Sequence, residues 1–253
     1  MTARPLQSGP GSRILDTLVL AALAVLVWQG LYEYAGDSAI TSPLMTLDYA
    51  AALLRTADFW GHAHATLVAF AYSLAISIAL GISLGLVLGL QRFAGDVAEP
   101  IFVALYTIPK VTLYPLILLI FGLGVSAKVA FGVIHGVIPI ILFTLNAVKN
   151  ISPVLLRVSR VLRLTTWQTV TTVLAPAVMP ELITGVRVGF SLTMLGVLIG
   201  EMFASQRGLG FLIINGISLN NVRMTTAVIL IVVVFAIAAN SLLLALDRRM
   251  HRG

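Results

Sequence analysis

Three charged residues stand where charge is expensive. Lys110 follows Pro109 in a hydrophobic stretch, Arg187 lies in the body of another, and Glu201 sits near the end of the same one. An ionisable side chain at membrane depth is a candidate for function by default. Lys110, Arg187 and Glu201 are therefore candidates for lining a translocation pathway, with snorkelling or an internal pair as the plain alternative. Arg187 and Glu201 are fourteen residues apart, or about 21 Å along a straight helix. They cannot pair with each other within one chain.

Other chemistries lack their residues. There is no phosphate-cradling G-x-x-x-x-G-K-[ST] loop, no H-E-x-x-H and no G-x-S-x-G, so ATP binding, zinc hydrolysis and serine catalysis have no local basis. His62 and His64 are two residues apart and do not share a helix face, so no metal site is expected. The absence of cysteine removes disulfides and thiolate chemistry. A membrane-embedded enzyme would need a nucleophile and base, or an acidic pair, at membrane depth. None stands out, and the chain is expected not to be an enzyme.

The elements that must position these residues are apolar. Of the 253 residues, 59% are hydrophobic and 10% charged, against about 25% charged in soluble domains. The mean hydropathy is +1.02. At about 20 apolar residues per crossing, six spans are expected at 14–32, 63–90, 98–121, 127–147, 177–203 and 225–246. The fold class is thus an all-α membrane protein with a transmembrane domain over 14–246, between tails at 1–13 and 247–253. Pro109 and Pro115 interrupt the third span, which divides into two shorter pieces if the helix breaks there. The first run is longer than a signal-peptide core and leads into WQGLYEY, so it is taken as a retained span.

Positive charge sets the expected orientation. With the N-terminus inside, Arg4, Arg13, Arg92, Lys149, Arg157, Arg160, Arg163, Arg248, Arg249 and Arg252 are cytoplasmic. Only Arg55, Lys128, Arg207 and Arg223 fall outside. Lysine and arginine accumulate on the cytoplasmic side, so both termini are expected there. The net charge of +6 follows this topology and has no aromatic-interleaved basic patch of the kind that binds nucleic acid. A short surface helix is expected within the outer segment 33–62, around 45–54.

Helix contacts are visible as small residues. Gly81, Gly85 and Gly89 recur every fourth residue, and Gly185 and Gly189 repeat the spacing in the fifth span, continued by Gly196 and Gly200. Such rows let two backbones approach closely.

The loop 148–176 is the only long inner segment. Ser152 and Pro153 are a helix start, after which Val154, Leu155, Val158, Val161 and Leu162 share one face and Arg157, Arg160 and Arg163 another. Thr165 or Thr166 can cap a second short helix bearing Trp167 and Val170. Two amphipathic helices with a turn near 163–166 result. They fit the headgroup layer of anionic lipid and a cytoplasmic partner equally well.

Three segments in order resemble one family. VLRLTTWQTVTTVLAPAVMPELITGVRVGF (161–190) is similar to the cytoplasmic EAA loop of ABC importer permeases, particularly the nitrate/sulfonate/taurine branch. There Trp167, Pro176, Pro180, Thr184, Gly185 and Arg187 match its pattern. LYTIPKVTLYPLILLIFGLG (105–124) resembles the branch's Pro-rich third span, and GEMFASQRGLGFLI (200–213) its E…GLG segment. The resemblance implies a type I importer permease in the bacterial inner membrane, paired as a homodimer or with a second permease. It further implies two cytoplasmic ATPase subunits that bind ATP and Mg, and an extracytoplasmic binding protein that delivers a small anionic or related organic solute. The chain itself would hold no cofactor. By the same resemblance Arg157, Ser159, Arg160, Arg163, Thr166, Trp167 and Val170 couple the permease to the ATPase. The family's Glu-Ala-Ala falls on Arg157, Val158 and Ser159, and its glycine on Arg163. These departures point to a specialised ATPase partner or a second, different permease. An ion-coupled transporter or channel, using Lys110, Arg187 or Glu201 as a charge relay, is the alternative.

Overall fold

The computed structural model describes residues 10–250, and its described residues are helices joined by short connections, with no strand among them. Of the tails expected at 1–13 and 247–253, residues 1–9 and 251–253 lie outside the described residues, whereas 10–13 and 247–250 belong to the first and last helices. Among the described residues, five helices are long and apolar enough to cross a membrane, or six when one bent pair counts as a span.

Helix α1 (Pro10–Ala35) stands at the periphery, with none of its apolar window buried. Its Trp28 Nε1 donates to the Thr41 carbonyl at 3.0 Å. Helix α2 (Pro43–Leu53) is the expected surface helix; Ser42 caps it, its hydroxyl accepting from the Met45 N–H, with proline in the first turn. Helix α3 (Ala57–Leu90) starts six residues before the expected 63, because Thr56 caps it by accepting from the Phe59 N–H, and Asp58 complements the first turn.

The third span is two pieces. Helix α4 (Arg92–Thr107) stops before Pro109, and a 3₁₀ turn (Lys110–Leu113) leads into α5 (Tyr114–Phe121), the axis turning by 86°. Ile108 is extended, as the residue before a proline prefers.

Helix α6 (Val125–Lys149) is the centre of the molecule, packed between α3 and the later helix α9 (Ala175–Ala204). The glycine rows make this possible. A Cβ on Gly81, Gly85 or Gly89 would fall 2.5–2.7 Å from Ile140, Thr144 or Val148 of α6. On the other side, Cβ atoms on Gly185 and Gly189 would fall 2.6 Å from Phe143 and Ile140. Ile140, fully buried, is thus wedged between Gly81 and Gly189. The interior of this three-helix sandwich is filled by backbone-close packing.

After α6 come α7 (Pro153–Val161) and a one-turn helix α8 (Thr166–Gln168). Here the structure corrects the expected boundary. The second loop helix is not separate: α8 runs through a wide π turn (Thr169–Leu174) directly into α9. The fifth span's helix therefore begins well before the expected 177. The widened turn, in which the Ala175 N–H bonds the Val170 carbonyl, lets the chain absorb Pro176 without breaking. Helices α10 (Leu209–Ser218) and α11 (Val222–Met250) complete the chain.

Candidate functional site

The α6–α9 loop is a corner with both sides stapled. Ser152 Oγ accepts from the Val154 N–H at 3.3 Å and starts α7. At the end of α7 the Arg163 N–H bonds the Arg160 carbonyl, and the Leu164 N–H reaches back to Ser159 at 3.0 Å. This paired closure requires a left-handed residue between them, and Arg163 supplies it at φ 51°. Arginine thus takes the left-handed conformation at the position where the resembled family carries glycine. Thr165 then opens α8 reciprocally: its hydroxyl accepts from the Gln168 N–H, and Gln168 Oε1 accepts from the Thr165 N–H at 2.9 Å. That is a capping box, with Thr166 as the first residue of the helix.

The side chains on this corner face outward. Trp167 is 75% exposed, Val161 80% and Val154 60%, and Val158, Leu162 and Val170 are also exposed. Arg157, Arg160 and Arg163 are exposed, whereas Ser159 is buried beneath α7. No aspartate or glutamate occurs between Glu99 and Glu181. At the root of the corner Lys149 Nζ lies 2.6 Å from Asp96 and 2.7 Å from Glu99, tying α6 to α4.

The three pathway candidates occupy different settings. Lys110, at the bend, donates to the Tyr106 carbonyl at 3.0 Å, with its ammonium 5.0 Å from the Tyr106 ring centre. It thereby serves the C-terminal end of α4, where a cation is favourable. Arg187 lies half-buried in α9, one turn from Ser191, whose hydroxyl donates to its carbonyl. Glu201 is fully buried. Its carboxylate accepts from Thr66 Oγ1 at 2.8 and 3.0 Å, from the Gly210 N–H at 3.0 Å and from Lys128 Nζ at 3.3 Å.

Lys128, counted by charge with the outer segments, lies in the first turn of α6 at 2% exposure, paired with Glu201 and donating to the Arg207 carbonyl at 2.9 Å, a pairing that no local pattern predicts. Thr66 and His62 were also missed. The available signal was a lone cation at the start of one apolar run and a lone carboxylate at the end of the next. Antiparallel neighbours bring such positions together. His62 accepts from the Gly208 N–H at 3.0 Å and stacks on Phe211. Among the described residues no three metal-ligating side chains cluster.

Comparison with known proteins gives these features a context. Residues 77–252 match the family described as binding-protein-dependent transport system inner membrane component. The chain belongs to that family. Among similar proteins are a riboflavin transport system permease from Chloroflexus aurantiacus, 36% identical over 197 residues, covering 77% of this chain and 74% of that one. A putative aliphatic sulfonates transport permease from Bacillus subtilis is 23% identical across 92% of this chain and 85% of its own length. The taurine transport permease of Escherichia coli is 26% identical across 77% of this chain and 70% of its own length. A solved structure of the MetNI methionine ABC transporter, in inward-facing conformations, superposes with a TM-score of 0.61 at 19% identity, covering 74% of this chain and 93% of that one. The all-helical fold is that of a type I ABC importer permease, and the chain is a multi-pass transmembrane subunit of this class.

Proposed function

We propose that this permease forms half of a translocation pathway with a second permease, docks a cytoplasmic ATPase through its α7–α8 corner, and passes a small anionic organic or inorganic solute received from an extracytoplasmic binding protein. In this reading the membrane is the bacterial inner membrane and both termini are cytoplasmic. ATP and Mg belong to the ATPase subunit, and this chain holds no cofactor. The observation that carries the reading is the α7–α8 corner itself. Its backbone is fixed by a reciprocal cap and a left-handed turn, yet it leaves a tryptophan and several valines exposed, on a surface that also carries three arginines. A rigid element with an uncovered apolar face suits the transmission of a rigid-body movement.

Arg157, Ser159, Arg160, Arg163, Thr166, Trp167 and Val170 are assigned to this docking, Ser159 from beneath the surface. The arginines on this exposed surface favour an ATPase groove of negative character. The pathway is assigned to the outside of the α3–α6–α9 sandwich, because its interior is closed by glycine-to-side-chain contacts. Lys110 and Arg187 are its candidate solute contacts, and two copies of each would favour an anion.

The test is reconstitution. The purified chain in proteoliposomes should neither hydrolyse ATP nor accumulate solute on an ion gradient alone; with its co-purified ATPase and binding protein it should hydrolyse ATP and accumulate solute at the expense of that ATP. Uptake driven by an ion gradient without any ATPase would overturn the reading. Mass spectrometry of the ligand carried by the binding protein then tests the solute class.

A further inference from the structure

A densely bonded polar group lies far from the docking corner, at the opposite end of α6. The first turn of any helix leaves N–H groups without carbonyl partners inside it. At α10 those of Gly208, Leu209 and Gly210 are met by side chains from other segments: His62 Nδ1 at 3.0 Å, Thr66 Oγ1 at 2.8 Å and Glu201 Oε2 at 3.0 Å. The Thr66 hydroxyl donates onward to Glu201, and Lys128 donates both to Glu201 and to the Arg207 carbonyl just before α10. The approach leaves no room for side chains. A Cβ on Gly208 would meet the Glu201 carboxylate, and one on Gly210 would meet the Leu198 carbonyl.

We propose that Glu201 and Lys128 are positioning residues that cap α10 in trans and fix it to α3, α6 and α9, so that this end of the bundle moves as one body during transport. Glu201 handles neither solute nor proton. A ten-residue helix does not hold itself in place, and α10 has no side-chain cap of its own. The carboxylate supplies the missing acceptor where the positive end of the helix dipole favours it. Burial of a carboxylate and an ammonium is tolerated only when each is paired and its remaining hydrogen-bonding capacity is filled. Here three donors, the Thr66 hydroxyl, the Gly210 N–H and the Lys128 ammonium, converge on the carboxylate. Any displacement of α10 breaks bonds to three helices at once. A group that passes solute needs an open side, and Glu201 has no exposed surface.

The test is amide hydrogen exchange on the full chain in lipid nanodiscs, read together with uptake by the reconstituted transporter. Thr66→Val removes the acceptor of the Leu209 N–H, and Glu201→Gln turns charge-assisted bonds into neutral ones and leaves Lys128 without its counter-charge; each should raise exchange over 208–212 by about tenfold. Protection of α6 over 129–145 should stay within twofold. Thr66→Ser, which keeps the hydroxyl, should retain protection. Glu201→Gln should lower the maximal uptake rate and leave the solute KM unchanged. Unchanged exchange in α10 would overturn the proposal, as would a changed solute KM with α10 still protected. Loss of protection spread evenly over α3, α6 and α9 would also overturn it, since that marks a general stability role. If Glu201→Gln does not fold, the Thr66→Val and Thr66→Ser pair decides alone.

Discussion

At one end of α6 Lys128 is buried and donates hydrogen bonds to Glu201 and the Arg207 carbonyl; at the other, Lys149 reaches Asp96 and Glu99 beside a loop whose arginines and valines face outward. Both ends are polar and both are ordered by helix caps. They differ in where their satisfaction comes from. The Lys128 end is complete within one chain: donors from α3, α6 and α10 meet one carboxylate of α9. The loop end has a complete backbone and an incomplete surface. A self-satisfied end moves with its own bundle, whereas an end with an uncovered apolar face gains from a partner. The division matches a permease that must be rigid in itself and still receive force from outside.

The largest effect should come from breaking the complete end. Lys128→Met leaves Glu201 buried with its counter-charge removed, and loss of one partner of a buried pair costs about 3–5 kcal/mol. Thermal unfolding in detergent should show a large fall in midpoint. Lys128→Met combined with Glu201→Gln should recover part of it, because a neutral amide can still accept from Thr66 and the Gly210 N–H. A double variant as unstable as the sum of the singles would mean that the two residues do not act on each other. Gly210→Ala comes next. Its methyl would press on the Leu198 carbonyl and on Glu201 Cβ at 2.8 Å. Overpacking of this kind costs about 1–3 kcal/mol, again read as a lowered midpoint.

The two ends also differ in how far they were legible. The corner was largely written in local sequence: Ser152–Pro153 marks its start, a threonine marks the second cap, and valines at helical spacing mark its face. The glycine rows were visible for the same reason, since packing faces repeat every fourth residue. The buried pair was not. Lys128 and Glu201 are 73 residues apart, and their meeting depends on the register of two helices against each other, which no local pattern encodes. The π turn was hidden by Pro176, whose usual effect is to break a helix; only a neighbouring wide turn allows it to continue. Arg163 was identifiable as the site of a bend but not as a left-handed residue, because arginine does not announce that conformation.

Arg163 therefore offers a smaller and opposite prediction at the incomplete end. A non-glycine residue in the left-handed region carries a cost of about 1–2 kcal/mol, partly offset on replacement by the greater freedom of glycine in the unfolded chain. Arg163→Gly should stabilise the chain by about 0.5–1 kcal/mol, seen as a slightly raised midpoint. The same variant should weaken salt-sensitive association with the ATPase subunit if the arginine contributes to docking. A stability gain with unchanged association would remove Arg163 from the interface and leave Arg157 and Arg160 as the charges that matter.

The smallest stability effect and the clearest functional one should meet at Trp167. Its indole is 75% exposed, so removing it sacrifices little packing inside the chain, and exposed positions usually change stability by less than about 0.5 kcal/mol. Tryptophan is at the same time a residue that interfaces rely on, and truncation of a buried interfacial tryptophan commonly costs about 2 kcal/mol or more in binding. Trp167→Ala should therefore leave the unfolding midpoint of the isolated permease unchanged while weakening ATPase binding roughly thirtyfold and lowering uptake. The same substitution at a residue of the buried end would lower both together. If Trp167→Ala destabilises the isolated chain as much as it weakens the complex, the corner is held by contacts of its own. The contrast between a complete and an incomplete end would then be lost.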